Sequence, residues 1–223
     1  MFLTHASVKR IAWFRAIELL VLFVGVPALM VWGGTRVRPL LVGALAAGFC
    51  FVLLWRDGGF DRSTLWNIAG LRGVARLILL RFAICAVLLT GLVWLLRPDQ
   101  FFILPRTRPG LWAVIMVAYP LISVWPQELI YRAFFFHRYR SIFGEGAGMV
   151  IGSSVAFGLM HVIFQNWVAV VMTIVGGVFF GTTYLKSRSL LAVSFEHTLY
   201  GQLIFTIGLG AYFYTGTLRT MGG

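Results

Sequence analysis

Residues 146–185 run for 40 positions without an aspartate, glutamate, lysine or arginine. As a helix rising about 1.5 Å per residue, that stretch is about 60 Å long, twice the hydrocarbon thickness of a bilayer. It reads as two membrane spans, joined at the polar pair Gln165-Asn166. No soluble core needs a run of this kind, so the rest of the chain is read against a bilayer as solvent.

The remaining segments share the same pattern. Residues 19–35 and 39–55 carry no charge, 77–96 are long enough to span with Arg81 inside, and 111–136 are apolar except for one polar motif. Residues 189–217 are long for one span and short for two. The expectation is an all-α polytopic transmembrane bundle of seven to eight spans. It divides into an N-terminal three-span region (1–110) and a second membrane region (111–223), with no separate soluble domain. Composition agrees: 60% of residues are hydrophobic and 12% charged, against about one quarter charged in soluble domains. The first fifteen residues resemble a signal-peptide n-region, but no small-residue cleavage site comes after them, so an uncleaved first span is expected. Cys50 and Cys85 fall within spans and read as small apolar residues.

A net charge of +12 does not point to nucleic acid, because the cations are placed asymmetrically. With the N-terminus inside, the inner segments hold Lys9, Arg10, Arg15, Arg56, Arg62, Arg72, Arg76, Arg138, Arg140, Lys186 and Arg188. The outer loops hold Arg36, Arg38, Arg97, Arg106 and Arg108, with Arg219 at the tail. Such an excess is the positive-inside signature of a cytoplasmic N-terminus, and it attracts anionic headgroups. Compact size suggests a bacterial inner membrane.

Ionisable groups inside a bilayer cost several kcal/mol unless paired, so they mark function or a structural lock. Here they are Glu18, Arg81, Glu128, Arg132, His161, Glu196 and His197. Glu128 and Arg132 are four apart and share a helix face. That spacing fits a structural ion pair between helices as well as it fits a functional one. Phe157 and His161 are likewise four apart, and His197 precedes Gly201 by one turn, where the missing side chain permits close approach. Glu128, His161 and His197, with Arg132, supply a base, a hydrogen-bonding partner and an oxyanion stabiliser on three spans. The weaker members read structurally: Glu196 pairs with Arg81, Glu18 with Arg15, and His137, Arg138 and Arg140 anchor at the interface. Counting rise per residue from the expected inner ends places Glu128 and His197 about 13 and 12 Å deep, and His161 about 22 Å deep.

The order Glu-x-x-x-Arg in "WPQELIYRAFFFHRY", Phe-x-x-x-His in "SSVAFGLMHVIFQN" and a later His in "SLLAVSFEHTLYGQ" resembles the CPBP family. Its members are the CAAX-type intramembrane proteases and bacteriocin-processing proteins, also called the Abi family. The likeness covers residues 111–210. It implies a membrane-embedded bundle that hydrolyses peptide bonds. In the family pattern Glu-Glu-x-x-x-Arg, the first glutamate and the histidine of Phe-x-x-x-His activate water. The later histidine, with an Asn or Asp four residues on, stabilises the oxyanion. On this chain Glu128 is the second glutamate, Arg132 the arginine, Phe157 and His161 the second motif, and His197 the later histidine. Gln127 stands at the first-glutamate position and Gly201 at the Asn/Asp position.

Glutamine cannot take a proton at neutral pH. Either a small helix rotation brings Glu128 to the water, with Asn166 and Gln202 covering the loss at position 201, or Glu128 stays paired with Arg132 and the protein does not cleave. The first reading is an intramembrane endopeptidase acting on a membrane-anchored peptide or protein substrate. The second is an immunity or scaffold module that binds a peptide or partner helix. An ion-coupled transporter would show inverted repeats or broken midplane helices, which are not evident. No cofactor and no nucleic-acid partner are expected. Glu128, His161 and His197 would form a His₂Glu zinc set if a metal were present.

Overall fold

Five spans begin where the sequence supplies a helix start. Pro39 and Pro109 stand in the first turns of their helices, where a missing N–H is harmless. Asn67, Asn166 and Ser189 cap three others by accepting the backbone N–H of Gly70 (2.9 Å), Ala169 (2.8 Å) and Ala192 (3.1 Å). Each such cap is worth about 1 kcal/mol. Left-handed residues Gln165 and Arg188 turn the chain between the last spans.

This computed structural model describes the backbone of residues 5–33 and 38–213, with side chains from Trp13 onward. The side chains of Lys9, Arg10, Arg36 and Arg219, and the end of the 189–217 stretch, lie outside the described residues. Among the described residues seven helices are long and apolar enough to cross a membrane: α1 Trp13–Gly33, α2 Pro39–Arg56, α3 Ile68–Leu96, α4 Pro109–Arg138, α5 Ala147–Phe164, α6 Trp167–Ser187 and α7 Leu190–Ile207. The chain is a multi-pass integral membrane protein. The 40-residue uncharged run divides at Gln165-Asn166 as expected. The long last stretch forms one span, ending in a left-handed Gly208 and a short 3₁₀ turn, Leu209–Phe213.

Burial ranks the helices. The buried share of each span is 11–17% in α1–α3 and 39–44% in α5–α7. The last helices form the centre, and α1–α3 present leucines, valines and tryptophans outward, the surface that lipid covers. Close packing at the centre needs small residues: a Cβ at Gly177 on α6 would fall 2.9 Å from the Ser154 backbone on α5. Arg81 on α3 reaches Glu196 (3.7 Å) and the hydroxyls of Thr182 and Thr183 (3.3 and 3.2 Å), tying α3 to α6 and α7 as anticipated.

One end of the bundle is knit by charge. Arg138 grips Glu18 with two hydrogen bonds (2.9 and 2.6 Å), and Tyr139 donates a third (3.0 Å). The expected Glu18–Arg15 pair is therefore corrected: Arg15 bonds Ser141 instead (2.8 Å). A two-pronged guanidinium from another helix outcompetes a neighbour on the same one. His137 and Arg140, read as interfacial anchors, also have protein partners, Asp57 (2.8 Å) and Glu145. The His137 bond and the Gly59 N–H hold the Asp57 carboxyl below the usual carboxylate range. The opposite end is closed by Trp112–Thr206 (3.0 Å) and Asn166–Tyr212 (2.8 Å) contacts.

Candidate active site

The span that carries Glu128 is not a regular helix. Within α4, Pro120–Val124 and Leu129–Phe134 are π-helical, and Glu128 ends the short α-helical piece Trp125–Glu128 between them. π turns insert a residue, widen the helix locally and collect at functional sites. Pro120 also lacks the N–H that would bond the Met116 carbonyl one turn back. Gln202 on α7 donates to that carbonyl instead (2.8 Å). Its amide thus pins α7 to α4 where the irregularity begins.

Glu128 and Arg132 are both fully buried, with 3.2 Å between Oε2 and the Arg132 Nε. The other carboxylate oxygen, Oε1, accepts from His197 Nδ1 at 2.7 Å, across from α7. Arg132 in turn donates from Nη1 to Ser153 on α5 (3.0 Å), whose hydroxyl donates to the Tyr131 carbonyl (2.7 Å). The guanidinium lies over the rings of Phe157 (5.2 Å) and Phe180 (5.7 Å), a favourable place for a desolvated cation. His197 is stacked on Phe180 with ring centroids 4.5 Å apart. A carboxylate only accepts, so His197 carries its hydrogen on Nδ1. His197 Nε2 lies 3.1 Å from the hydroxyl of Tyr119, which donates to it when the ring is neutral.

His161 sits where α5 tightens into the 3₁₀ turn His161–Phe164. Its Nδ1 donates to the Phe157 carbonyl (2.7 Å), which leaves Nε2 as a free acceptor. The Phe157 ring touches both histidines, with centroids 4.7 Å from His161 and 5.6 Å from His197. A late helix start does not account for the extra rise counted to His161, since α5 begins at Ala147. Phe157 spans the offset.

The supporting residues divide. Gln127 donates to Ser123 on its own helix (2.7 Å), while its Oε1 is buried with no hydrogen-bond partner among the described residues. Asn166 caps α6 and donates to the Phe164 and Tyr212 carbonyls (3.2 and 2.8 Å), so its groups serve the chain turn and not His197. Gln202 serves Met116. What stands beside His197 at the Gly201 position is Tyr119: a Cβ on Gly201 would lie 2.2 Å from its ring and 2.5 Å from its hydroxyl. Sequence reasoning missed Tyr119. Its one signal was the glycine a turn after His197, which announced a close neighbour without saying which. Among the described residues no three His, Cys, Asp or Glu side chains converge as a metal ion requires. The zinc set Glu128, His161 and His197 does not fit, since both His197 nitrogens are already engaged.

Fold and site together define a multi-pass helical membrane protein with a buried Glu-Arg-His cluster between its spans. Residues 109–219 match the family model of the type II CAAX prenyl endopeptidase Rce1-like proteins. Through these residues the chain belongs to that family of CAAX-type intramembrane proteases, in agreement with the CPBP resemblance of its motifs. Neither the curated proteins nor the solved structures compared with the chain gave a match.

Proposed function

We propose that the protein is an intramembrane endopeptidase that hydrolyses a peptide bond of a membrane-anchored substrate, without a metal. The observation that carries this reading is the Glu128–His197 hydrogen bond joining α4 to α7, held from behind by buried Arg132. His161 Nε2 takes the proton of the attacking water, because its other nitrogen is fixed on the Phe157 carbonyl. Glu128 acts through His197, which it holds in one tautomer on the oxyanion side. After attack, the proton on His161 passes to the leaving amine as the C–N bond breaks. The family description names prenylated CAAX segments, and a peptide of that kind is the first substrate to offer. The excess of cations on the segments of one end supports a cytoplasmic N-terminus in a bacterial inner membrane.

The test compares the termini of membrane proteins in cells carrying the wild type or His161→Ala. Substrate termini that vanish in the variant support cleavage, and identical sets refute it. One observation favours a non-cleaving module: both oxygens of Glu128 already face protein partners. Under that reading His161→Ala leaves the phenotype intact.

A further inference from the structure

The site contains a hydroxyl that the Glu-Arg-His motifs do not include. Glu128, His197 and Tyr119 form a continuous hydrogen-bonded chain, with links of 2.7 and 3.1 Å. Its charges balance with His197 neutral, since Glu128 is paired with Arg132 and Glu196 with Arg81. A neutral His197 with its hydrogen on Nδ1 has no N–H left to offer a substrate. The only mobile hydrogen at the far end of the chain belongs to the Tyr119 phenol. Exposure runs the same way: Glu128 is fully buried, His197 nearly so, and Tyr119 half-buried. The phenol thus ends the chain on the least buried of its three residues.

The ring is held in place from two sides. The bare face of Gly201 admits it, where any side chain would overlap it. The Gln202 bond to Met116 fixes the turn of α4 from which it projects. Edge contacts with Phe205 and His197 (centroids 5.6 and 6.0 Å) set its tilt.

We infer that the Tyr119 hydroxyl is the hydrogen-bond donor to the developing oxyanion, with His197 as the acceptor on which that hydrogen rests between turnovers. This rests on the peptidase reading. Bonds to a charged oxygen are roughly twice as strong as neutral ones. As charge builds on the substrate carbonyl, the hydrogen swings from Nε2 to it by rotation about the phenol C–O bond, with no heavy atom moving. Gly201 is thus the space that a donor from another helix fills.

The experiment uses full-length protein in lipid nanodiscs with a fluorogenic farnesylated CAAX peptide, and ¹⁵N NMR of the histidine rings. Tyr119→Phe keeps the ring in the Gly201 hollow and removes only the hydroxyl. The expected result is a kcat about 10²–10³-fold lower with KM within about twofold, the loss usual for one oxyanion donor. The His197 Nε2 resonance moves toward that of a free acceptor nitrogen, and thermal unfolding stays unchanged. Gly201→Asn alone collides with the ring and loses activity. Combined with Tyr119→Ala, which vacates the hollow, the new amide restores at least about tenfold of what Tyr119→Ala loses. Tyr119→Phe with wild-type kcat, or with an unmoved Nε2 resonance, overturns the inference. A wild type that cleaves no more than His161→Ala overturns the peptidase reading itself, a result distinct from an active Tyr119→Phe.

Discussion

Glu128→Ala alone, and the double variant Glu128→Leu with Arg132→Met, separate the two roles that a buried ion pair can have. In the single variant Arg132 keeps its bond to Ser153 and its two aromatic faces but loses its anion. The guanidinium is fully buried. Removing one partner of such a pair costs about 3–5 kcal/mol, whereas replacing both by apolar groups of similar volume is close to neutral. Scaled to a chain of this size, the single variant should unfold about 10 °C earlier, and the double variant should recover most of that. Activity should not track stability. The double variant lacks the carboxylate that holds His197 Nδ1, so it should be well folded and cleave at least about 10²-fold more slowly. Thermal unfolding in detergent, monitored by tryptophan fluorescence, and cleavage of the same lipopeptide give both numbers. A stable double variant with wild-type turnover would reduce Glu128 and Arg132 to a structural lock. A single variant that melts like the wild type would refute the claim that Arg132 depends on its anion.

Three further outcomes are expected. Gln127→Glu places a carboxylate where Oε1 is now buried without a partner, with the Ser123 hydroxyl free to donate to it. Turnover should rise at least about tenfold, in line with a positioned general base, and an unchanged rate would leave proton transfer with His161. Arg138→Ala should cost about 1–2 kcal/mol by removing both hydrogen bonds to Glu18, and Arg15→Ala no more than about 0.5 kcal/mol; equal losses would contradict Arg138 as the partner of Glu18. Incubation with EDTA or 1,10-phenanthroline should leave lipopeptide cleavage unchanged, and inhibition reversed by added zinc would refute the metal-free reading.

Much of this arrangement was legible in the sequence, for identifiable reasons. Spans are written in uncharged length, which is why the 146–185 run divides where Gln165-Asn166 interrupts it. Glu128 with Arg132, and Phe157 with His161, declare themselves by a four-residue spacing, and Arg81 finds Glu196 because a bilayer leaves a charge few options. Partners on distant segments were not legible. Tyr119 meets His197 across 78 positions, and an aromatic beside a proline on an apolar helix looks like any lipid-facing ring. Glu18 passes over Arg15 for Arg138, 120 residues away, because helix packing and not spacing decides who arrives with two prongs. Asn166 and Gln202 carried the right chemistry for the site, but backbone groups exposed by a chain turn and by Pro120 had the stronger demand on them.

The π-helical turn Leu129–Phe134 has a consequence for the history of such a chain. A π turn is an α-helix carrying one surplus residue, so deleting Ala133, which lies outside the Glu-x-x-x-Arg spacing, would relax it to a regular helix of nearly the same length. The span would still insert with its two flanks facing nearly as before, because the wider π turn absorbs the surplus residue, and only the side chains the turn itself aims would shift. Arg132, inside the turn, would shift relative to Ser153 on the neighbouring helix while every polar residue of the site remained in the sequence. A silenced descendant of this protein could thus keep each of its motifs and differ from its parent by a single missing alanine.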